Sequence, residues 1–143
     1  MPRIVIPRRG RRGATALEFA VILPVLMTLV LGCVDFGRFA HSYIVVTNAA
    51  RVGASYATVN PYTPETYTLW QNSIQQAVTQ EMMGLSEFDP QALTVQTTVI
   101  PGSGPNWSAQ VEVTYPFQTL IAWPGIPSSL NLNQTVLMQT IRP

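Results

Sequence analysis

Residues Ala14 to Val34 read ATALEFAVILPVLMTLVLGCV, twenty-one positions with a single charged side chain, Glu18. As a helix rising about 1.5 Å per residue, the segment covers roughly 31 Å, the thickness of a bilayer's hydrocarbon core. The expectation is therefore a membrane-spanning helix. Arg3, Arg8, Arg9, Arg11 and Arg12 stand just before it, and clustered arginines keep their side of a span in the cytoplasm. This predicts a single pass with the N-terminus inside. Pro24 lies mid-span and removes one backbone donor, so a kink or a short looser stretch is expected there.

Glu18 is out of place in such a segment. A carboxylate costs on the order of 2.5–3.5 kcal/mol at the centre of a spanning helix and less toward an interface. Either Glu18 sits shallow or protonated in the cytoplasmic headgroup region, or something compensates it. The residues before it suggest what. Gly13 ends the arginine run and Glu18 is the fifth residue after it, in R-R-G-A-T-A-L-E-F. This resembles the prepilin peptidase site of type IV pilins and pseudopilins, which would place the cut between Gly13 and Ala14. The other leader glycine, Gly10, has Thr15 at the same spacing and does not fit. A cut at Gly13 frees an α-amino group on Ala14, a cation at neutral pH at the end of an apolar helix. In a bundle of such helices, the pilin resemblance implies that Glu18 of one subunit pairs with the Ala14 amine of a neighbour. That pairing offsets two desolvation costs and sets the axial register.

Further motifs extend the resemblance. A16-L-E-F-A20, with Phe19 beside the glutamate, Pro24, G32-C-V-D-F-G-R38 (Gly32, Asp35, Gly37, Arg38) and N48-A-A-R-V-G-A54 (Asn48, Arg51) together resemble the TadE-like family of the Tad (Flp-type) pilus system, over roughly residues 8–58. The resemblance implies a minor pseudopilin or pilus-assembly component. Its implied partners are the membrane, the system's prepilin peptidase and other pilus or pseudopilin subunits. Its implied location is the cytoplasmic (inner) membrane and, after assembly, a pilus at the cell surface.

Two other readings share the segment. It can be a plain signal anchor, or Val30-Leu31-Gly32-Cys33 can be an imperfect lipobox that leaves Cys33 lipidated. Either would make the chain a bitopic or lipid-anchored periplasmic binding module. Against the lipobox, Leu31 is large for its place and Glu18 interrupts the apolar stretch. A small buried cysteine in a helix is the simpler account of Cys33.

Charge and composition narrow the function classes. Beyond Glu18 there are three arginines against six acids, so a phosphate-binding surface lacks its cations and no nucleic-acid partner is expected. One Cys and one His make neither an internal disulfide nor a Cys/His zinc site. There is no G-x-S-x-G, no phosphate-cradling glycine loop with lysine and no usable acid pair, so no catalytic residue, cofactor, metal or small-molecule substrate is expected. His41 reads as a solvated or interfacial imidazole, and Asp35 with Arg38 as an i,i+3 surface pair. Abundant Thr, Ser, Asn and Gln after residue 55 are compatible with export.

After the span the helical period continues through Phe36, Ala40, Tyr43, Thr47, Ala50, Ala54 and Ala57, so one helix of roughly 66 Å is expected over about 14–58. Gly32, Gly37, Gly53 and Ala54 would allow close helix approach. Asn60-Pro61-Tyr62 breaks it, and Thr63-Pro64-Glu65 reads as an N-cap with proline in the first turn. A second helix over about 64–83 then presents Tyr67, Trp70, Ile74, Ala77, Val78 and Met82, with Gly84 as C-cap. After Phe88-Asp89-Pro90 the period falls to two, predicting strands at about 92–100, 107–115 and 130–141. The expected fold class is α+β: a basic leader (1–13), a transmembrane and extended helix (14–58), and a periplasmic or extracellular domain (59–143). Its small antiparallel sheet covers the outer half of the first helix, the general pilin plan.

Overall fold

The structure, a computed structural model, describes residues 11–102 and 106–140. Residues 1–10 of the expected leader and the last residue expected in the third strand lie outside that range. The fold class is α+β, with helices α1 (Arg11–Val59) and α2 (Tyr67–Met82) and strands β1 (Thr94–Pro101), β2 (Trp107–Gln118) and β3 (Ser129–Gln139). The chain divides between Phe36 and Gly37 into two units, and α1 contributes to both.

In the first unit α1 is apolar on every side. It passes Pro24 as uninterrupted α-helix, without the looser stretch expected there. A proline removes only one donor, and the turns on either side keep theirs. The Thr28 hydroxyl adds a 2.8 Å bond to the Pro24 carbonyl.

The second unit is built around β2. Antiparallel pairing on both sides gives the order β1-β2-β3. The period-two alternation of β2 turns Ala109, Val111, Val113, Tyr115 and Phe117 to one face, all buried. Against that face lie Val46, Ala49, Ala50, Ala54 and Ala57 of α1 and Trp70, Ile74, Val78 and Met82 of α2. Covering of the outer half of the first helix is thus observed, with Ala50, Ala54 and Ala57 of the expected stripe inward and its bulky members outward. Phe36 and Tyr43, expected to face in, are 72% and 45% exposed, while Val46, Ala49 and Gly53 are buried. Small residues face the core because α2 and β2 come close. A Cβ on Gly53 would stand 2.7 Å from Val78 Cγ2 and 3.1 Å from Val111 Cγ1.

α2 begins three residues later than expected, because Thr63–Thr66 closes its own turn first, with Thr66 N–H donating to the Thr63 carbonyl at 3.0 Å. Thr66 is the N-cap residue, but its hydroxyl accepts the Thr63 N–H at 2.8 Å and caps nothing. At the other end Met83 is the C-cap, and Gly84 continues the turn through a 3.2 Å bond to Glu81 without a left-handed conformation. An aromatic cluster fixes the connection: the Tyr62 ring lies 4.7 Å from Trp70 and 5.6 Å from Trp107, and Trp70 Nε1 donates to the Ala57 carbonyl at 3.3 Å.

β2 continues to Gln118 through Pro116, three residues beyond its expected end. β1 stops pairing at Thr94 opposite Thr114, so from Tyr115 onward β2 pairs with β3 alone. Pro116 therefore stands where one side of β2 has no neighbour, and its missing N–H costs no ladder bond there.

Candidate functional site

The residues expected to act lie along α1. From Gly13 to Val34 every residue except the half-buried Gly32 is exposed, including Leu17 (69%), Phe19 (61%) and Val25 (66%). Among the described residues this is the one helix long and apolar enough to cross a membrane, and none of its most apolar window is buried. A helix apolar all round and covered on no side is unsuited to water. It suggests anchoring in a membrane.

Among the described residues α1 runs from Arg11, and the Gly13–Ala14 bond lies within it. Gly13 is exposed, with nothing within 4 Å of the place a Cβ would take. Glu18 is exposed too and stands one turn after Ala14 on the same side of the helix, leaning back toward the N-terminus as helical side chains do. It makes no ion pair with another described residue. Cys33 is a free, exposed thiol, not the buried one expected.

The later motif residues divide by role. In N48-A-A-R-V-G-A54, Ala49, Ala50, Gly53 and Ala54 enter the core, whereas Asn48, Arg51 and Val52 face outward. Gly37 is exposed, and a Cβ added to it would meet nothing within 4 Å, whereas Gly53 makes a close approach. Asp35, expected at the surface, is buried at 6% exposure.

Arg38 reaches much farther than an i,i+3 partner. Its Nη2 pairs with Glu87 Oε2 at 2.9 Å, its Nη1 donates to the Gln118 carbonyl at 3.4 Å, and its guanidinium lies 5.7 Å from the Phe117 ring centre. Phe39 packs edge-on against Phe117 at 5.5 Å. The loop after α2 is held by Tyr115, whose hydroxyl accepts the Asp89 N–H at 3.0 Å and donates to the Glu87 carbonyl at 3.2 Å. Around these groups lies a cleft of about 320 Å³, into which His41 and Ser42 also face. Sequence reasoning missed Glu87 and Tyr115. The available signal was the alternation that turns Tyr115 inward, where a phenol hydroxyl needs a partner. Among the described residues no group of His, Cys, Asp and Glu is arranged to hold a metal ion.

The family model described as TadE-like protein matches residues 13–55, a segment that holds Gly13, Glu18, Pro24 and the motifs G32-C-V-D-F-G-R38 and N48-A-A-R-V-G-A54. No curated protein and no solved structure matches the chain. The match begins at Gly13 and ends just past Ala54, so it covers both the apolar helix and most of the part of α1 that enters the core. Over residues 13–55 the chain is similar to TadE-like proteins, a likeness that suggests a component associated with the Tad pilus.

Proposed function

We propose that the chain is a minor pseudopilin or assembly component of a Tad (Flp-type) pilus. In this reading a prepilin peptidase cuts between Gly13 and Ala14, and the processed helix associates laterally with those of other subunits. Before assembly it spans the cytoplasmic membrane once with its N-terminus inside, and the domain after α1 stands on the opposite side. The protein's role is structural, and the hydrolytic chemistry belongs to the peptidase.

One observation carries this reading: a helix apolar on all sides, uncovered within the chain, with one exposed carboxylate five residues after Gly13. Gly13 weakens the first turns of α1 by about 1 kcal/mol relative to alanine. That eases the local unwinding a peptidase needs to reach a helical bond. Cleavage would then leave an ammonium at the positive end of the helix dipole, where it is doubly disfavoured. A carboxylate from a neighbouring helix relieves both the amine and Glu18.

The deciding experiment is N-terminal sequencing and intact-mass measurement of protein taken from its native envelope. A mature terminus at Ala14 is expected. A lipidated Cys33 would instead identify a lipid-anchored binding module, and an uncut Met1 a plain anchor.

A further inference from the structure

Between β2 and β3 the chain forms an apolar loop, Thr119-Leu-Ile-Ala-Trp-Pro-Gly-Ile-Pro-Ser128, which neither the core nor the processing site uses. Its base is closed by Thr119, whose N–H (3.0 Å) and hydroxyl (3.3 Å) both donate to the Ser128 carbonyl. Its tip is a reverse turn with Pro124 and Gly125 at the centre. The Ile126 N–H donates to the Trp123 carbonyl at 3.2 Å, and Gly125 has φ +82°. Proline followed by a left-handed glycine is the pairing that a type II turn requires. This built turn presents Leu120 at 60% and Ile126 at 54% exposure. No residue from Val113 to Ile141 carries a charge.

Neighbouring contacts fix where the loop emerges. It leaves β2 directly after Phe117 and Gln118, which touch Phe39 and Arg38. Gly37 is the first residue of the second unit. The loop therefore emerges at the end where the chain enters that unit, and Arg38 follows Val34, the last residue of the apolar run, by four positions.

We propose that the 119–128 loop dips into the headgroup region of the bilayer that holds residues 14–34, on the face opposite the N-terminus. This rests on the membrane-spanning reading above. The loop offers aliphatic side chains, a tryptophan of the type enriched at membrane interfaces, and no charge to desolvate. Exposed apolar side chains gathered on a pinned turn mark an interaction site. In the membrane-spanning reading only Asp35 and Phe36 separate the apolar run from Gly37, so lipid is the surface that chain continuity brings near that end of the unit. Because the loop carries no charge, contact does not depend on anionic headgroups.

The test uses the full chain with Cys33→Ser and a single new cysteine at Met27, Ile126 or Thr98, each labelled with an environment-sensitive fluorophore. All three positions are exposed, so labelling leaves the core intact. The proteins are reconstituted sparsely in phosphatidylcholine vesicles, with or without phosphatidylglycerol, that contain lipids bearing a quencher. Loss of emission is expected at Met27 and Ile126 but not at Thr98, equally in both lipid mixtures. Quenching at Met27 with Ile126 behaving like Thr98 overturns the loop proposal and leaves the membrane span standing. No quenching at Met27 overturns both. Protection of Ile126 from aqueous iodide without quenching by lipid, and only at high protein density, shows a second copy covering the loop and also overturns the proposal.

Discussion

Replacing Gly53 by alanine adds one methyl group to the face of α1 that meets α2 and β2. The new Cβ would lie 2.7 Å from Val78 Cγ2 and 3.1 Å from Val111 Cγ1, and 3.5 Å from Ile74 Cγ2. Val78, Val111 and Ile74 are all fully buried, and β-branched side chains have few rotamers in which to retreat. Overpacking of this kind costs about 1–3 kcal/mol. Alanine also favours the helix over glycine by up to about 1 kcal/mol, which hides part of the loss. Gly37 of the same helix supplies the control, because nothing lies within 4 Å of its added Cβ. The difference between Gly53→Ala and Gly37→Ala therefore isolates the steric cost, about 1–3 kcal/mol, or at least ~4 °C in melting temperature for a domain of this size. Thermal unfolding of the full chain in detergent, followed by near-ultraviolet circular dichroism of the Trp70–Trp107 cluster, reads this difference. In a Val78→Ala background the penalty should shrink, and the four-protein cycle measures that coupling. A Gly53→Ala protein that melts as high as Gly37→Ala would refute the packing argument.

Gly13→Ala is expected to block processing, so that intact mass retains the leader. Glu18→Ala should be cut normally yet assemble poorly, and normal filament incorporation of that variant would remove the proposed register role of the amine–carboxylate pair. Tyr115→Phe deletes a hydroxyl that bridges Asp89 N–H and the Glu87 carbonyl. A loss of about 1–3 kcal/mol in denaturant unfolding is expected, with faster hydrogen exchange at the Asp89 amide. Glu87→Gln breaks an ion pair whose acid side chain is 77% exposed. Stability should change by less than about 1 kcal/mol, with the small difference vanishing at high salt.

The sequence displayed the architecture because its periods are clean where the surroundings are simple. The face Trp70, Ile74, Val78 and Met82 of α2 has water on one side and core on the other, so its spacing reports burial directly. The same holds for the alternation of β2. The outer half of α1 misled for the opposite reason. Its core-facing positions are Ala49, Ala50, Gly53, Ala54 and Ala57, residues chosen for closeness and low in apolar weight, while the bulky Phe36 and Tyr43 point away. A periodicity weighted by hydrophobicity therefore finds Ala50, Ala54 and Ala57 but errs at the bulky Phe36 and Tyr43 and misses Val46, Ala49 and Gly53. The extension of β2 through Pro116 depends on where β1 ends, a fact about a neighbour that no local signal contains. Likewise, Gly13 and Glu18 are proposed from a local motif and its resemblance to pilin processing sites, whereas the contacts of Arg38 with Glu87, Gln118 and Phe117 join segments far apart in the chain.

The close fit of Gly53 against Val111 also sets an order of events during biosynthesis. The ribosome makes the alanine and glycine face of α1 well before it makes the strand that shields it. Until β2 arrives, that half-helix has only nascent α2 and an unpaired β1 for company, and a contact between such distant parts of a chain is slow to close. Maturation of the second unit is thus a late step, finished after nearly the whole polypeptide has emerged. Any truncation that removes β2 should leave the helix made but its inner side permanently wet, a target for quality-control proteases.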